Sequence, residues 1–374
     1  MSEKELTRRH FVRGATAAGG TMAVTGIEPT GASSPAGAQQ PSRRGILNFN
    51  EQMKYRRLGK TGLMVSAVCL GGHWKRLGTL LPGFKGLGYA QEDFENVKDP
   101  AFLQSRDEVL AHSIEAGINY LDACAVQEIL AYGKLLKGRR DKMHVGFSWH
   151  LREPRYPEWR DGKKLLEALD MGLKESGLGY ADLWRITLQL PQLPPPDELR
   201  QIEESTIEAL AAARKQGKAR FTGISSHNPG WLGSMIERFP DQIQVVLFPF
   251  TGGSKERPEN SLFSVIRKHD VGVFTIKPFC DNMLFAGDSS PESPHRAEDD
   301  RRARLAVRNI LSNLVITAPI PGLISTSQVD NMVRAVREGF RLSPKEKAEF
   351  EKDMPAMWAK VPPNQSWLKN WELV

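Results

Sequence analysis

The sequence has 374 residues, a length that suits two average domains or one α/β barrel, which takes roughly 250 residues. Hydrophobic residues make up 40% and charged residues 25% of the chain, which is ordinary for a globular protein, and no apolar run is long enough to predict stable membrane insertion. The net charge of +7 is spread in short basic clusters that alternate with acids, so no nucleic-acid partner is expected. The three cysteines lack metal-motif spacing, which predicts small buried side chains at Cys69, Cys124 and Cys280.

The amino terminus carries a targeting pattern in three parts. Thr7-Arg8-Arg9-His10-Phe11-Val12 matches the twin-arginine export pattern, a weakly apolar stretch covers residues 14–27, and Ala36-Gly37-Ala38 resembles a cleavage site. The alternative is a disordered Ala/Gly tail with a chance arginine pair. We expect residues 1–38 to be a signal peptide recognised by the twin-arginine export machinery, residues 39–52 to be a linker, and the mature protein to be periplasmic.

Strands and helices are predicted to alternate from Met53 onward. The predicted strands are Met64–Leu70, Ile118–Asp122, Met143–Trp149, Ala181–Leu188, Ala219–Ile224, Ile243–Phe248, Val271–Lys277 and Val315–Ile320. The predicted helices are Ser105–Ala116, Glu128–Leu136, Gly162–Ser176, Pro196–Gln216, Trp231–Arg238, Asn260–His269, Arg302–Leu311 and Ser327–Gly339. Eight such units predict a closed (β/α)8 TIM barrel over residues 53–340. A doubly wound open sheet is the alternative, although no Gly-x-Gly-x-x-Gly motif follows an early strand.

Two further segments are predicted to lie against this barrel. The insertion 75–104 follows the first strand and therefore belongs to the mouth of the barrel, where Gly78, Gly83, Gly86 and Gly88 would let it fold over the site as a lid and Phe84, Tyr89 and Phe94 would pack it. Residues 341–374 are expected to form a last helix and a tail packed on the barrel through Trp358, Trp367 and Trp371.

Five phrases in order along the chain resemble one known family. They are Gly117–Cys124 with Tyr132–Lys142, the opening Tyr55–Ser66, Gly177–Leu183, Gly223–Asn228, and Ile320–Gly322 with Gln328–Asn331. Together they resemble the aldo-keto reductases, (β/α)8 barrels that transfer a hydride from a nicotinamide nucleotide to a carbonyl carbon. The resemblance implies NADP or NAD as the cofactor and a small-molecule carbonyl or alcohol as the substrate.

The resemblance also implies positions for the family's four catalytic side chains. The aspartate is Asp122, whereas the tyrosine position falls on Gln127, the lysine position on Ser148 and the histidine position on Thr187. A phenol beside a buried cation can deliver a proton near neutral pH, but glutamine and threonine cannot. We therefore expect a degenerate catalytic set that does not support the family's ordinary reduction.

The implied nucleotide positions are better preserved. Ser225, Ser226 and Gln244 would bind the nicotinamide carboxamide, Ile276 replaces the aromatic residue that usually stacks on the ring, and Lys277 is a candidate cation. The residues expected at the adenosine phosphate end are Gly322, Ser325, Gln328 and Asn331, close to a helix start that favours anions. The alternative is a late turn and helix that serve only the fold.

Other polar groups are expected at the same mouth. Three histidines each follow a strand: His73, His150 and His227. With Asp122 they could bind zinc or another divalent metal, but our first expectation is that the protein binds no metal. His150 could instead donate a proton, and Arg185 could pair with Asp122 inside the barrel. The sequence thus favours an exported NAD(P)-binding oxidoreductase with altered catalytic residues. A non-catalytic ligand- or partner-binding barrel and a metal-assisted hydrolase or lyase are the alternatives.

Overall fold

Eight parallel strands form one sheet in the computed structural model, which describes residues 45–86, 95–190 and 192–374. Each strand pairs with the next along the chain: β3 Leu70–Gly71, β4 Tyr120–Ala123, β5 His144–Phe147, β6 Ala181–Thr187, β7 Ala219–Ser225, β8 Val245–Pro249, β9 Gly272–Ile276 and β10 Ala318–Pro319. The amides of Cys69 and Gly71 donate to the carbonyls of Pro319 and Pro321, at 3.1 and 2.9 Å. These bonds join the last strand to the first, so the predicted (β/α)8 barrel is confirmed.

A two-stranded hairpin precedes the barrel. Strand β1 (Tyr55–Arg57) pairs antiparallel with β2 (Met64–Ser66), and Leu58 and Val65 of this region pack into the barrel interior with Tyr120 and Phe274. The predicted single strand Met64–Leu70 is therefore wrong. The chain turns after Ser66, whose hydroxyl donates to the Val68 carbonyl at 2.8 Å, and only then enters β3.

The helices surround the sheet. They are α1 Pro100–Glu115, α2 Val126–Leu135, α3 Gly162–Ser176, α4 Pro196–Lys215, α5 Pro229–Arg238, α6 Leu262–His269, α7 Arg296–Ser312, α8 Thr326–Glu338 and α9 Pro344–Ala359. Helix α3 has its predicted bounds because Asp161 caps its first amides and Gly177 ends it with a φ of 69°. Helix α1 begins earlier than predicted, at an Asp99-Pro100 start in which the Asp99 side chain accepts from the Ala101 amide. No helix of the described residues is long and apolar enough to cross a membrane.

The chain divides into two units, Met1–Ser42 and Arg43–Val374, and the predicted signal peptide lies outside the described residues. Residues 45–52, predicted as linker, are bound to the barrel instead, because Asn48 and Asn50 donate to the carbonyls of Ile118 and Glu115 at 3.1 and 2.9 Å. At the other end, α9 and a 3-10 helix over Pro363–Trp371 pack on the barrel.

Candidate active site at the barrel mouth

A cavity of about 400 Å³ opens at the carboxyl ends of the strands. Its wall takes side chains from the ends of successive strands and from the loops that follow them, where catalytic groups of such barrels are found. The residues on this wall that the sequence singled out are Asp122, Ser148, His150, Thr187, Ser225, Lys277, Gly322, Ser325, Gln328 and Asn331, together with His73, Arg185, His227 and Ile276. Most of the predicted site is therefore brought together.

A buried ion pair lies at the base of this cavity. Arg185 donates from Nη2 to Asp122 Oδ2 at 2.6 Å and from Nε to Oδ1 at 3.2 Å, and both residues are 5% exposed. Burial disfavours the charged guanidinium, but Asp122 outweighs it and raises the pKa of Arg185 above its ordinary value. The predicted Asp122–Arg185 pair is confirmed, and Arg185 stays protonated at neutral pH.

A second carboxylate, which sequence reasoning missed, connects two of the predicted positions. Glu153 is buried; one of its oxygens accepts from the Ser148 hydroxyl and from the Thr187 amide at 3.0 Å, while the other accepts from Arg155 at 2.8 Å. Burial raises the pKa of Glu153, but Arg155 and the hydrogen bonds lower it by a larger amount. The pKa of Glu153 is therefore below its ordinary value. The ionised Glu153 therefore holds the hydroxyl of Ser148 and the backbone amide of Thr187, while the Thr187 hydroxyl accepts from Arg185 at 3.4 Å.

Gln127 is not at the mouth. It lies in the first turn of α2, fully buried, and its Oε1 accepts from Asn96 Nδ2 at 2.7 Å. Its side chain is not part of the cavity wall. The loop between β4 and α2 is short, so Gln127 already belongs to helix α2. Its side chain therefore points away from the cavity.

Two of the three mouth histidines are uncharged at neutral pH. Burial, then Arg155, lowers the pKa of His150 to about 4, and burial, then Lys277, lowers that of His227 to about 3. His150 is therefore a neutral imidazole at neutral pH, which disfavours the role of proton donor expected from the sequence. The Nδ1 of His227 is buried and has no hydrogen-bond partner among the described residues, and His227 itself is a residue of the cavity wall.

The third histidine belongs to a separate cluster. His73 Nδ1 lies 3.1 Å from Glu128 Oε1, and Cys124 Sγ lies 3.7 and 3.9 Å from the two ring nitrogens of His73. Burial disfavours the charged imidazole, but Cys124 and Glu128 together raise the pKa of His73 to about 10. The four predicted residues, His73, His150, His227 and Asp122, therefore do not form one cluster. His73 is grouped with Cys124 and Glu128 instead.

The residues predicted to bind a nucleotide divide into two sets. Ser325 caps helix α8 by accepting from the Gln328 amide at 3.3 Å, and this helix start forms one wall of the cavity. Lys277, in a left-handed conformation with a φ of 58°, reaches the same cavity, and burial lowers its pKa. Asn331 also lines the wall, but Arg304 donates to its Oδ1 at 2.6 Å.

The other set lies away from the cavity wall. Ser226 accepts from the Asn228 amide at 3.2 Å, and Gln244 directly precedes β8, where its side chain accepts from the Thr222 amide at 3.3 Å. Because Gln244 stands at the amino end of its strand, it lies at the end of the barrel opposite the mouth. The predicted carboxamide contact from Gln244 is wrong for that reason.

The described part of the insertion lies at the cavity. Lys75 pairs with Asp281, Arg76 donates to the Gly287 carbonyl at 2.6 Å, and Leu80 lines the cavity. Phe84 stacks on Phe102 with ring centroids 5.9 Å apart, whereas Gly88, Tyr89 and Phe94 lie outside the described residues. The described part of the insertion therefore forms a wall of the mouth.

The tail packs on His227, a residue of the cavity wall. Trp367 stacks on His227 with ring centroids 3.7 Å apart and an interplanar angle of 8°. Trp371 donates from Nε1 to the His227 carbonyl at 3.0 Å and stacks on Phe248. The tryptophans are thus packed against the barrel.

Comparison with known proteins identifies the family. The model of the aldo/keto reductase family matches residues 88–314, more than half of the chain. The chain belongs to the aldo-keto reductase family. Among curated relatives of this aldo-keto reductase, L-galactose dehydrogenase of Arabidopsis thaliana is 22% identical over 77% of the chain and 89% of the relative.

A further curated relative and a solved structure also match. L-glyceraldehyde 3-phosphate reductase of Escherichia coli is 24% identical, but the alignment covers only 62% of this chain and 63% of that enzyme. Among solved structures, the holo form of an aldo-keto reductase from Bacillus halodurans matches 80% of the chain and 96% of its own with a TM-score of 0.57 and 22% identity. At this identity the structural match establishes the aldo-keto reductase barrel and nothing finer.

Proposed function

We propose that the protein is an exported NAD(P)-binding oxidoreductase of the aldo-keto reductase type that acts on a small polar carbonyl or alcohol with altered catalytic residues. The observation that carries the proposal is the mouth cavity, which combines a buried Asp122–Arg185 pair, the start of helix α8 and the cation Lys277 on one wall. The names of the relatives, a galactose dehydrogenase and a glyceraldehyde phosphate reductase, support a sugar-like substrate.

The residues present fit a nicotinamide nucleotide. The start of α8 at Ser325, together with Lys277, would hold the phosphates, because helix starts and cations both favour anions. Ser225, which lines the cavity, would hold the carboxamide in place of Ser226 and Gln244. When bound there, the nicotinamide would give or take a hydride.

The chain's own acid–base groups depart from the family pattern. Arg185 lines the cavity and could donate hydrogen bonds to a developing oxyanion, but a guanidinium does not release its proton. Gln127, Ser148 and Thr187 offer no titrating group, and Glu153 stays ionised. We therefore expect carbonyl reduction through Asp122, Gln127, Ser148 and Thr187 to be much slower than in relatives that retain the family's tyrosine.

The polar cavity and the lost catalytic groups together favour one alternative. A barrel that lost its catalytic groups but kept a polar cavity would bind a ligand or partner without turnover. Binding of a nucleotide separates the two, because only the oxidoreductase requires it.

Stoichiometric NAD(P) is the first expected result. Wild-type protein purified after export should release about one nucleotide per chain when it is denatured, and folded protein freed of nucleotide should bind NADPH or NADH on titration. Lys277→Met is expected to weaken this binding about 10- to 100-fold, since a hydrogen bond to a charged group is worth about 1.5–3 kcal/mol. Fluorescence titration of the reduced nucleotide measures the change.

Lys268→Met is the matched control. Lys268 is exposed on α6 and pairs with Glu237, so its loss should leave nucleotide binding unchanged. Absence of nucleotide from the wild type, with no binding on titration, would contradict the proposal and leave the ligand-binding barrel.

Export is proposed from the Arg8-Arg9 pattern. Arg8→Lys/Arg9→Lys is expected to leave the protein in the cytoplasm, because the export machinery recognises the arginine pair itself. Cell fractionation should find the wild type and Arg13→Lys in the periplasm. Equal distribution of all three variants would remove the support for export.

A further inference from the structure

Three side chains of metal-ligand type converge on the cavity wall where β3 and β4 end. They are His73, Cys124 and Glu128, whose ligand atoms all lie within 4.8 Å of one another. His73 follows β3, Cys124 follows β4 and Glu128 stands in the first turn of α2. Imidazole, thiolate and carboxylate are the three ligand types that zinc takes in proteins.

The spacing of the three groups suits one small cation. Zinc binds sulfur at about 2.3 Å and nitrogen or oxygen at about 2.0–2.2 Å, so two ligands of a tetrahedral site stand roughly 3.3–3.6 Å apart. His73 Nδ1 is 3.1 Å from Glu128 Oε1 and 3.9 Å from Cys124 Sγ. The sulfur is nearly equidistant from both ring nitrogens, so it does not line up with one N–H as a hydrogen-bonded nucleophile and base would.

The cluster is also held in place by its surroundings. Glu128 is fully buried, and its Oε2 accepts from the amides of Cys124 and Ala125 at 2.7 and 3.0 Å, which leaves Oε1 directed at His73. A Cβ on Gly72 would lie 2.5 Å from the Glu128 carboxyl carbon. A Cβ on Gly322 would lie 2.3 Å from the His73 carbonyl oxygen. Both glycines therefore allow the close approach that builds the cluster.

One side of the cluster faces the cavity. His73 and Cys124 line the cavity wall, as does Asp122, whereas Glu128 lies behind them. A catalytic zinc site has three protein ligands and a fourth position open to water or substrate. The arrangement here matches that description, with the open position toward the mouth.

We propose that His73, Cys124 and Glu128 bind a divalent cation of the zinc type. Such a cation would polarise a carbonyl or hydroxyl oxygen in the cavity as a Lewis acid, the role that Gln127, Ser148 and Thr187 cannot fill. Metal binding stands without the proposed oxidoreductase function, and only the polarising role rests on it.

Cobalt titration tests the site directly. Wild-type protein purified without metal-affinity steps is analysed for bound metal, stripped with a chelator and titrated with Co²⁺. One Co²⁺ per chain is expected, with the ultraviolet charge-transfer band of a thiolate–cobalt bond. Cys124→Ser is expected to lose this band, and both it and His73→Asn should bind Co²⁺ and Zn²⁺ at least about 100-fold more weakly, since even outer-shell changes cost 10- to 100-fold.

Cys280→Ser is the matched control, because Cys280 is buried near the tail and outside the cavity wall. It should keep both the band and the affinity, and circular dichroism should show that all variants are folded. Wild-type affinity no higher than that of Cys124→Ser, or a band that survives in Cys124→Ser, would overturn the proposal. Metal without nucleotide would instead contradict only the oxidoreductase function, and nucleotide without metal only the metal site.

Discussion

Arg185→Met is expected to lower the free energy of unfolding by about 3–5 kcal/mol, because it leaves the Asp122 carboxylate buried without its partner. The two side chains are only 6% and 7% exposed, so water cannot replace the lost contact. Denaturant unfolding followed by circular dichroism measures the change.

A double variant shows whether the pair or the position matters. Asp122→Leu/Arg185→Met removes both charges and should recover most of the loss, since replacing a buried pair by apolar residues is often neutral. Lys268→Met, which breaks the exposed pair with Glu237, should cost less than about 1 kcal/mol. An Arg185→Met variant as stable as Lys268→Met would show that the ion pair contributes nothing to the fold.

Trp371→Ala is expected to cost a similar amount, about 3–5 kcal/mol. Trp371 is fully buried, its ring stacks on Phe248 at 5.3 Å, and its Nε1 donates to the His227 carbonyl at 3.0 Å. The substitution leaves a large cavity and an unsatisfied carbonyl. Unfolding in denaturant again gives the free-energy change.

Trp367→Ala provides the comparison for this position. Trp367 is only partly buried, so its removal should cost clearly less than that of Trp371, although it uncovers His227. Equal effects of the two substitutions would mean that the tail acts as one unit rather than through the buried Trp371 ring.

The order of the barrel elements could be predicted because strand and helix signals are local. Asp161 and Gly177 mark both ends of α3 in the sequence, and the structure uses both. The division of Met64–Leu70 into two segments could not be predicted, because the apolar run continues through the turn at Ser66. Hydrophobicity reports burial but not a change of direction.

The site was predictable only in part. The Asp122–Arg185 pair follows from alternation along strands, which sends both side chains to the barrel interior. The positions of Glu153 and Glu128 depend on the conformations of a loop and a helix start, which no spacing rule specifies. Gln244 was misplaced because its role came from the family resemblance alone. In the structure it directly precedes β8, which begins at Val245, so it lies at the end of the barrel opposite the mouth.

The position of Trp371 bears on how the protein is made. Synthesis proceeds from the amino terminus, so every barrel strand leaves the ribosome before Trp371 and before the residues that pair with Lys255, whose amide donates to the Glu372 carbonyl at 2.8 Å. Until then the face around His227 has no cover. The stacking partner of His227, a residue of the cavity wall, is therefore added only at the end of synthesis, when every barrel strand is already available to pair.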